Sequence, residues 1–439
     1  MSRHSGVVAG ILLLGMIVMC LVSDMIGRDT PVGKTILLIG GACGWAAGIS
    51  LLGRVRRMQQ VFISFLLITG LVLIAFAYTK TGTVQWGRIL TVNAGLLSMI
   101  ISVGFLKIIA ARDFEFTGLL PEGRQPFRDT ILTVAVFGSF INISAPILVA
   151  DRLSQNRALT RFQAATLTKT FSACSAWSPF FGSMAVVLTY VEDMRLLLMM
   201  LFGFPFAIAC TLYVYYVPLL TRSPHVDKFR GYPLKFQSLW IPAALACIVM
   251  ALTWFFPTLS ILTVIALGSL ILTSVALVWQ ESIRETFVEL ANYVTTKFSD
   301  SANELVLFLA AGVLAVGLAA MADLGYLVLP IKEFDAFTAS VLLAAMIGIS
   351  MIGIHPIVQI AGLTSVLLAA NPDPQLLALT YLFAWSLGTT ASPLSGTHLV
   401  MQGRYGIPSW KGATGNWPFV LVMYPIGVLV LYLMQELVL

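Results

Sequence analysis

The pattern Ser-Pro-x-x-Gly-[Ser/Thr] occurs twice, as SPFFGS at residues 178–183 and SPLSGT at residues 392–397, each inside a segment apolar enough to cross a bilayer. Proline removes a backbone donor and clashes with the preceding turn, and glycine permits the reversal that follows, so each copy unwinds its helix. In hydrocarbon every freed amide and carbonyl needs a partner, which confines such breaks to surfaces facing protein or a wet cavity. At average residue usage the pattern should arise less often than about once in ten thousand positions, so two copies in one chain mark an internal repeat.

The rest of the chain is built for the same solvent. Of its 439 residues 58% are hydrophobic and 10% charged, with a mean hydropathy of +0.92, whereas a soluble domain carries about a quarter charged residues. The fold class is therefore an all-α polytopic membrane protein. The first apolar run, Gly6 to Met25, has no small-x-small cleavage site behind it and reads as a retained helix. Windows of membrane length place about eleven spans, at 6–26, 36–53, 61–79, 89–111, 162–190, 195–220, 237–256, 259–280, 305–329, 375–402 and 417–438. Two further stretches, 130–151 and 338–370, have polar or proline-containing centres, FINISAPILV and MIGIHPIVQIAG, and read as re-entrant hairpins.

Charge placement orients this arrangement. With a cytoplasmic N-terminus, nineteen Lys and Arg residues fall on the inner side, Arg56 and Lys235 among them. Six fall outside: Arg28, Lys34, Lys80, Arg88, Arg195 and Lys332. That is the positive-inside distribution, and it puts the C-terminus outside. The net charge of +6 is explained by this rule and requires no nucleic-acid partner. Between spans, 112–129 and 281–300 are too polar to cross; in the second, Ile283, Phe287, Leu290 and Val294 share a helical face suited to the headgroup layer.

The order helix, hairpin, broken helix, closing helix then appears twice. Residues 1–88 form N-terminal scaffold helices. A first repeat covers 89–220, with its hairpin at 130–151 and broken helix at 162–190. A linker and connecting helix occupy 221–258. The second repeat covers 259–439, with its hairpin at 338–370 and broken helix at 375–402. An odd number of crossings separates the copies, so the repeat is inverted.

The pairing supplies a site. Half-helix amino ends favour an anion, while freed carbonyls with Ser and Thr hydroxyls suit a desolvated sodium ion. Candidate substrate-binding residues are Asn142 and Ser144 at the first tip, Ser178 and Ser183 at the first break, His355 at the second tip, and Ser392, Thr397 and His398 at the second break. Candidate ion-coupling residues are Asn142, Gly182, Gly396 and Lys169, and the helix-breaking residues are Pro179, Gly182, Pro393 and Gly396. Ionisable groups at membrane depth are functional candidates. Each has a second reading: Lys169 snorkels to the cytoplasmic face, His355 bonds a loop carbonyl, and His398 caps freed backbone. Small residues and prolines also serve helix packing, a reading that the duplication disfavours.

Four stretches, FINISAPILV, SACSAWSPFFGSMAVVLTY, IGIHPIVQIAGLTSVL and TTASPLSGTHLVMQGRYGI, resemble the ion transporter superfamily, nearest to divalent anion/sodium symporters and arsenite permeases. The resemblance covers most of the chain at the level of topology. It departs at the hairpin tips, where the symporters carry Ser-Asn-Thr and this chain has Asn142-Ile143-Ser144 and Gly353-Ile354-His355. It implies a homodimer and an elevator-type stroke.

The function expected is secondary active transport of a small anionic solute, coupled to sodium or protons, in the bacterial inner membrane. No covalent cofactor and no metal centre is expected beyond a sodium ion. A cation/proton antiporter is disfavoured because, apart from Asp323 near an outer helix end, no carboxylate lies deep in a span. An intramembrane protease lacks paired Asp or His-Glu-x-x-His, and Ser395 with His398 lacks a Gly-x-Ser-x-Gly elbow. A channel through the same midplane cavity fits two hairpin tips less well than alternating access does.

Overall fold

The computed structural model describes residues 3–55, 57–113, 118–234, 239–327, 333–367 and 370–438. Arg56, Lys235 and Lys332 of the charge count, residues 114–117 of the first polar segment and residues 368–369 of the second hairpin lie outside the described residues. Among the described residues the regular structure is helical, and the one pairing of extended backbone is an isolated bridge between Glu122 and Arg230. The chain is an all-α polytopic membrane protein.

Among the described residues eight helices are long and apolar enough to cross a membrane: Ser5–Ile26, Pro31–Arg54, Gln59–Thr81, Trp86–Arg112, Leu196–Leu220, Ile261–Gln280, Ala302–Asp323 and Ser409–Val438. Three of the spans expected from sequence are missing from that set for physical reasons. The apolar helix Trp240–Phe255 has only 16 residues, and the segments 162–190 and 375–402 are each divided into two helices. Two boundaries also differ. The helix Ala302–Asp323 starts early enough to carry Glu304 in its first turn, a carboxylate the sequence windows left outside. The last helix begins at Ser409 and runs through Pro418 and Pro425.

The helices sort into two compact units. The first comprises residues 1–109, 243–330 and 361–369, and the second residues 110–242, 331–360 and 370–439. Within the first, small residues bring helices together, as expected where lipid leaves little hydrophobic drive for association. A Cβ on Gly44 would lie 2.6 Å from Met16 Sδ, and one on Gly70 would lie 2.8 Å from the backbone of Val313 and Leu314. Arg28 anchors the end of the first helix. Its Nε pairs with Asp24 at 2.6 Å and its Nη2 donates to Ser260 Oγ at 3.0 Å, while the Ser260 amide donates to Asp24 at 2.8 Å.

The surface-helix segment folds as Ile283–Thr296, opened by a capping box between Ser282 and Glu285. The Ser282 amide and hydroxyl hold the Glu285 carboxyl below the ordinary carboxylate range. Its expected apolar face is divided: Ile283 and Phe287 are exposed, but Val294 is buried, its carbonyl facing Gly10.

Candidate functional site

Both hairpins up to residue 360 and both broken helices belong to the second unit. The first hairpin joins helices Arg124–Ile141 and Ser144–Ser154. At its tip Asn142 has φ 51° and ψ −142°, a region that L side chains rarely occupy. The second joins Ala336–Met351 and Pro356–Leu367 and turns at Gly353, φ 105°.

The first broken helix consists of Arg161–Cys174 and Gly182–Tyr190. The second consists of Pro374–Ala391 and Gly396–Tyr405. Pro179 and Pro393 thus lie in the gaps, and Gly182 and Gly396 are the first residues of the returning halves. Hydroxyl groups take up part of the freed backbone. Ser178 Oγ donates to the Ser139 carbonyl and accepts from Phe180 N at 3.2 Å, and Ser183 Oγ donates to Ser175 O at 2.6 Å. At the second break Ser392 Oγ accepts from Leu394 N at 3.3 Å, and Ser395 Oγ lies 3.2 Å from Thr397 Oγ1.

The first tip touches both breaks. Asn142 Nδ2 donates to Phe180 O at 3.0 Å, and a Cβ on Gly396 would meet Ile143 Cδ1 at 3.6 Å. The second tip closes on the second break, where a Cβ on Gly353 would fall 2.7 Å from Leu394 Cδ1. The breaks are joined by their own helices: Ser386 Oγ donates to Ser172 O at 2.9 Å, across a sequence separation of 214. That is also the separation of Ser178 and Ser392, so Ser172 and Ser386 occupy equivalent positions of the repeat. A residue meets its own counterpart only where a local two-fold axis passes.

The remaining candidates are distributed unevenly. Ser144 opens the second hairpin helix, half-buried, and bonds neither break. His355 Nδ1 accepts from Ile357 N at 3.2 Å, and its ring stands edge-on to Trp385 with centroids 5.1 Å apart, so it bonds an amide rather than a carbonyl. His398 is buried. Its Nδ1 lies 2.8 Å from Ser395 Oγ and its Nε2 3.3 Å from Asn416 Nδ2, which also donates to Thr168 Oγ1 at 3.3 Å. Lys169 is half-buried, 6.0 Å from the centre of the Phe419 ring, and fewer than two helical turns before the first gap.

Sequence reasoning missed Ser139, Ser172, Ser386 and Asn416. The repeat offset contained the signal for Ser172 and Ser386, whereas Ser139 and Asn416 are selected by tertiary contact alone. Buried polar atoms in this unit without a hydrogen-bond partner among the described residues include Thr133 Oγ1, Thr170 Oγ1, Gln359 Oε1 and Asn416 Oδ1. Such atoms are expensive to bury and mark places where a ligand or water is accepted. The two returning halves differ in one respect. Ser395 caps Gly396–Tyr405 by accepting from His398 N, whereas Phe181 gives Gly182–Tyr190 no side-chain cap.

No protein-family model and no curated protein matches the chain, so the resemblance to the ion transporter superfamily rests on the four stretches above. Among solved structures the chain is similar to that described as "Crystal structure of the Alcanivorax borkumensis YdaH transporter reveals an unusual topology", with 13% identity, 98% of each chain covered and a TM-score of 0.37. A likeness that distant fixes neither solute nor direction.

Proposed function

We propose that the chain is a secondary active transporter of a small anionic solute, coupled to sodium or protons, in which the second compact unit carries the solute by an elevator-type stroke. One observation carries the reading: the first hairpin tip, through Asn142 and Ile143, meets both interrupted helices. Hairpin tips converging on unwound helices at membrane depth supply backbone dipoles and hydroxyls to a desolvated cargo. The uncapped amino end at Gly182 is the better seat for the anion, since its amides have no competing side chain. The second break, with Ser392, Ser395 and Thr397 hydroxyls, suits the coupling ion. Gly182 is thereby reassigned from ion coupling to the solute.

A hydrolase reading has one observation in its favour, the contact of 2.8 Å between Ser395 Oγ and His398 Nδ1. The network around it argues the other way. With Asn416 Nδ2 facing His398 Nε2, the ring accepts there and its Nδ1 proton is directed at Ser395 Oγ; the amide orientation of Asn416 fixes that tautomer, and with it which way the proton of the Ser395 contact lies.

Uptake of labelled organic and inorganic anions into proteoliposomes, with and without sodium and pH gradients, tests the proposal. Gradient-driven accumulation abolished by Ser178→Ala, Ser392→Ala and His355→Ala together is the expected result. Turnover independent of every gradient would replace the transporter by a channel or an enzyme.

A further inference from the structure

A second site lies in the first unit, at the ends of the spans Gln59–Thr81 and Ala302–Asp323. These helices approach closely at Gly70 and Gly317, where a Cβ on Gly317 would lie 2.7 Å from Gly70 O. Beyond that crossing small residues leave a cavity of about 160 Å³, with Ala77, Ala319 and Ala320 in its wall. Its floor is apolar, from Ile74 and Val316, and its rim carries Gln85, Arg88 and Asp323.

The charges at the rim are unusual. Asp323 is the last residue of its helix, where the negative end of the helix dipole opposes a carboxylate. Among the described residues no side chain pairs with it. Arg88 is held by Gln85, whose Oε1 accepts from Nη1 at 3.3 Å, which leaves the other guanidinium donors for a ligand. The nearby cation Lys80 lies 5.7 Å from the centre of the Phe76 ring. A cavity with an apolar floor and unpaired charges of both signs, placed where two spans end, matches a molecule that is apolar below and zwitterionic above.

The geometry points to a binding site for a phospholipid with a phosphoethanolamine headgroup, its phosphate on Arg88 and its ammonium on Asp323. A phosphocholine headgroup has no N–H to give the carboxylate, and a phosphoglycerol headgroup has no cation. The site is independent of the transport reading, because it uses none of the residues at the breaks.

The test is native mass spectrometry of the full chain released from nanodiscs holding equal parts of palmitoyl-oleoyl phosphatidylethanolamine, phosphatidylcholine and phosphatidylglycerol. Retained phosphatidylethanolamine should exceed either competitor by about tenfold, the size of one charge-assisted hydrogen bond lost. Asp323→Asn, at an exposed position, should reduce that excess to near parity, whereas Arg88→Gln, also exposed, removes the partner of a phosphate that all three lipids share and should lower the retention of all three. Equal retention of the three lipids by the parent chain, a preference for phosphatidylglycerol, an excess unchanged by Asp323→Asn, or retention unchanged by Arg88→Gln would overturn the assignment. So would displacement of the lipid by soluble phosphoethanolamine at equal concentration, since the acyl chains would then contribute nothing.

Discussion

Asn142 performs two opposed tasks, and substitution separates them. Its backbone at φ 51° and ψ −142° sits where non-glycine residues pay about 1–3 kcal/mol. Its side chain returns a comparable amount, since removing the donor to Phe180 O leaves a carbonyl unsatisfied away from water, at about 1–3 kcal/mol. Asn142→Ala keeps the backbone strain and loses the bond, so it should lower stability by about 1–3 kcal/mol. Asn142→Gly loses the bond but relieves the strain, so it should fall within about 1 kcal/mol of the parent. Equilibrium unfolding in mixed micelles, titrating a denaturing detergent, measures both. Equal stability of the two variants would refute the strain argument, and Asn142→Asp as stable as the parent would refute the donor argument, because a carboxylate has no hydrogen to give Phe180 O. Both variants should lose anion uptake, because each removes the amide that bridges tip and break.

Further outcomes follow from single contacts. Gly203→Ala would place a Cβ 2.1 Å from Ala176 O, a backbone atom that cannot rotate away, and should destabilise by about 1–3 kcal/mol in the same unfolding assay. Gly348→Ala, with nothing within 4 Å, should be neutral or stabilising and serves as its control. Ser386→Ala should lose about 0.5–1.5 kcal/mol with its bond to Ser172 O, whereas Ser172→Ala leaves that main-chain acceptor in place and should lose less. The Thr338 amide, donating at 2.8 Å, holds the Asp335 carboxyl below its ordinary range. A depressed carboxyl contributes stability that is full above its unfolded value, near pH 4, and lost as pH falls through the lower folded value. Asp335→Asn should flatten that part of the acid unfolding profile, read by tryptophan fluorescence between pH 5 and pH 2.

The helix breaks were legible because proline and glycine act on the backbone locally, whatever surrounds them. Eight of the spans were legible because hydrophobic length alone specifies a crossing helix. The count of eleven took each broken helix as one crossing; the gaps at Pro179 and Pro393 divide each into two helices, neither of which has the length and composition of a span by itself. Gly353 was quoted at the second tip without a role, yet its positive φ and the closeness of Leu394 make it the residue on which that turn depends. Asn416 gave no signal, since an asparagine near the start of a long helix ordinarily reads as solvated. Its burial comes from Thr168 and His398, which lie 248 and 18 residues away in sequence.

The repeat is symmetric in backbone and asymmetric in chemistry, and the two properties do different work. Two-fold related helices meeting at Ser172 and Ser386 give the unit two faces of like geometry, which is what exposing one site alternately to either side of a membrane requires. Identical breaks would bind identical ligands, so a coupled carrier must differ at equivalent positions. The two copies here do differ: where the first has Phe181 and Met184, the second has Ser395 and His398, with hydroxyl and imidazole replacing a ring and a thioether. Phe181 packs on Phe171 with centroids 5.0 Å apart and gives the amides beyond it no side-chain cap, while Ser395 claims the equivalent amide for itself. The same fold element thus ends in an uncapped amino end in one copy and in a hydroxyl cluster in the other. The proposed division between cargo and coupling ion depends on that exchange of side chains.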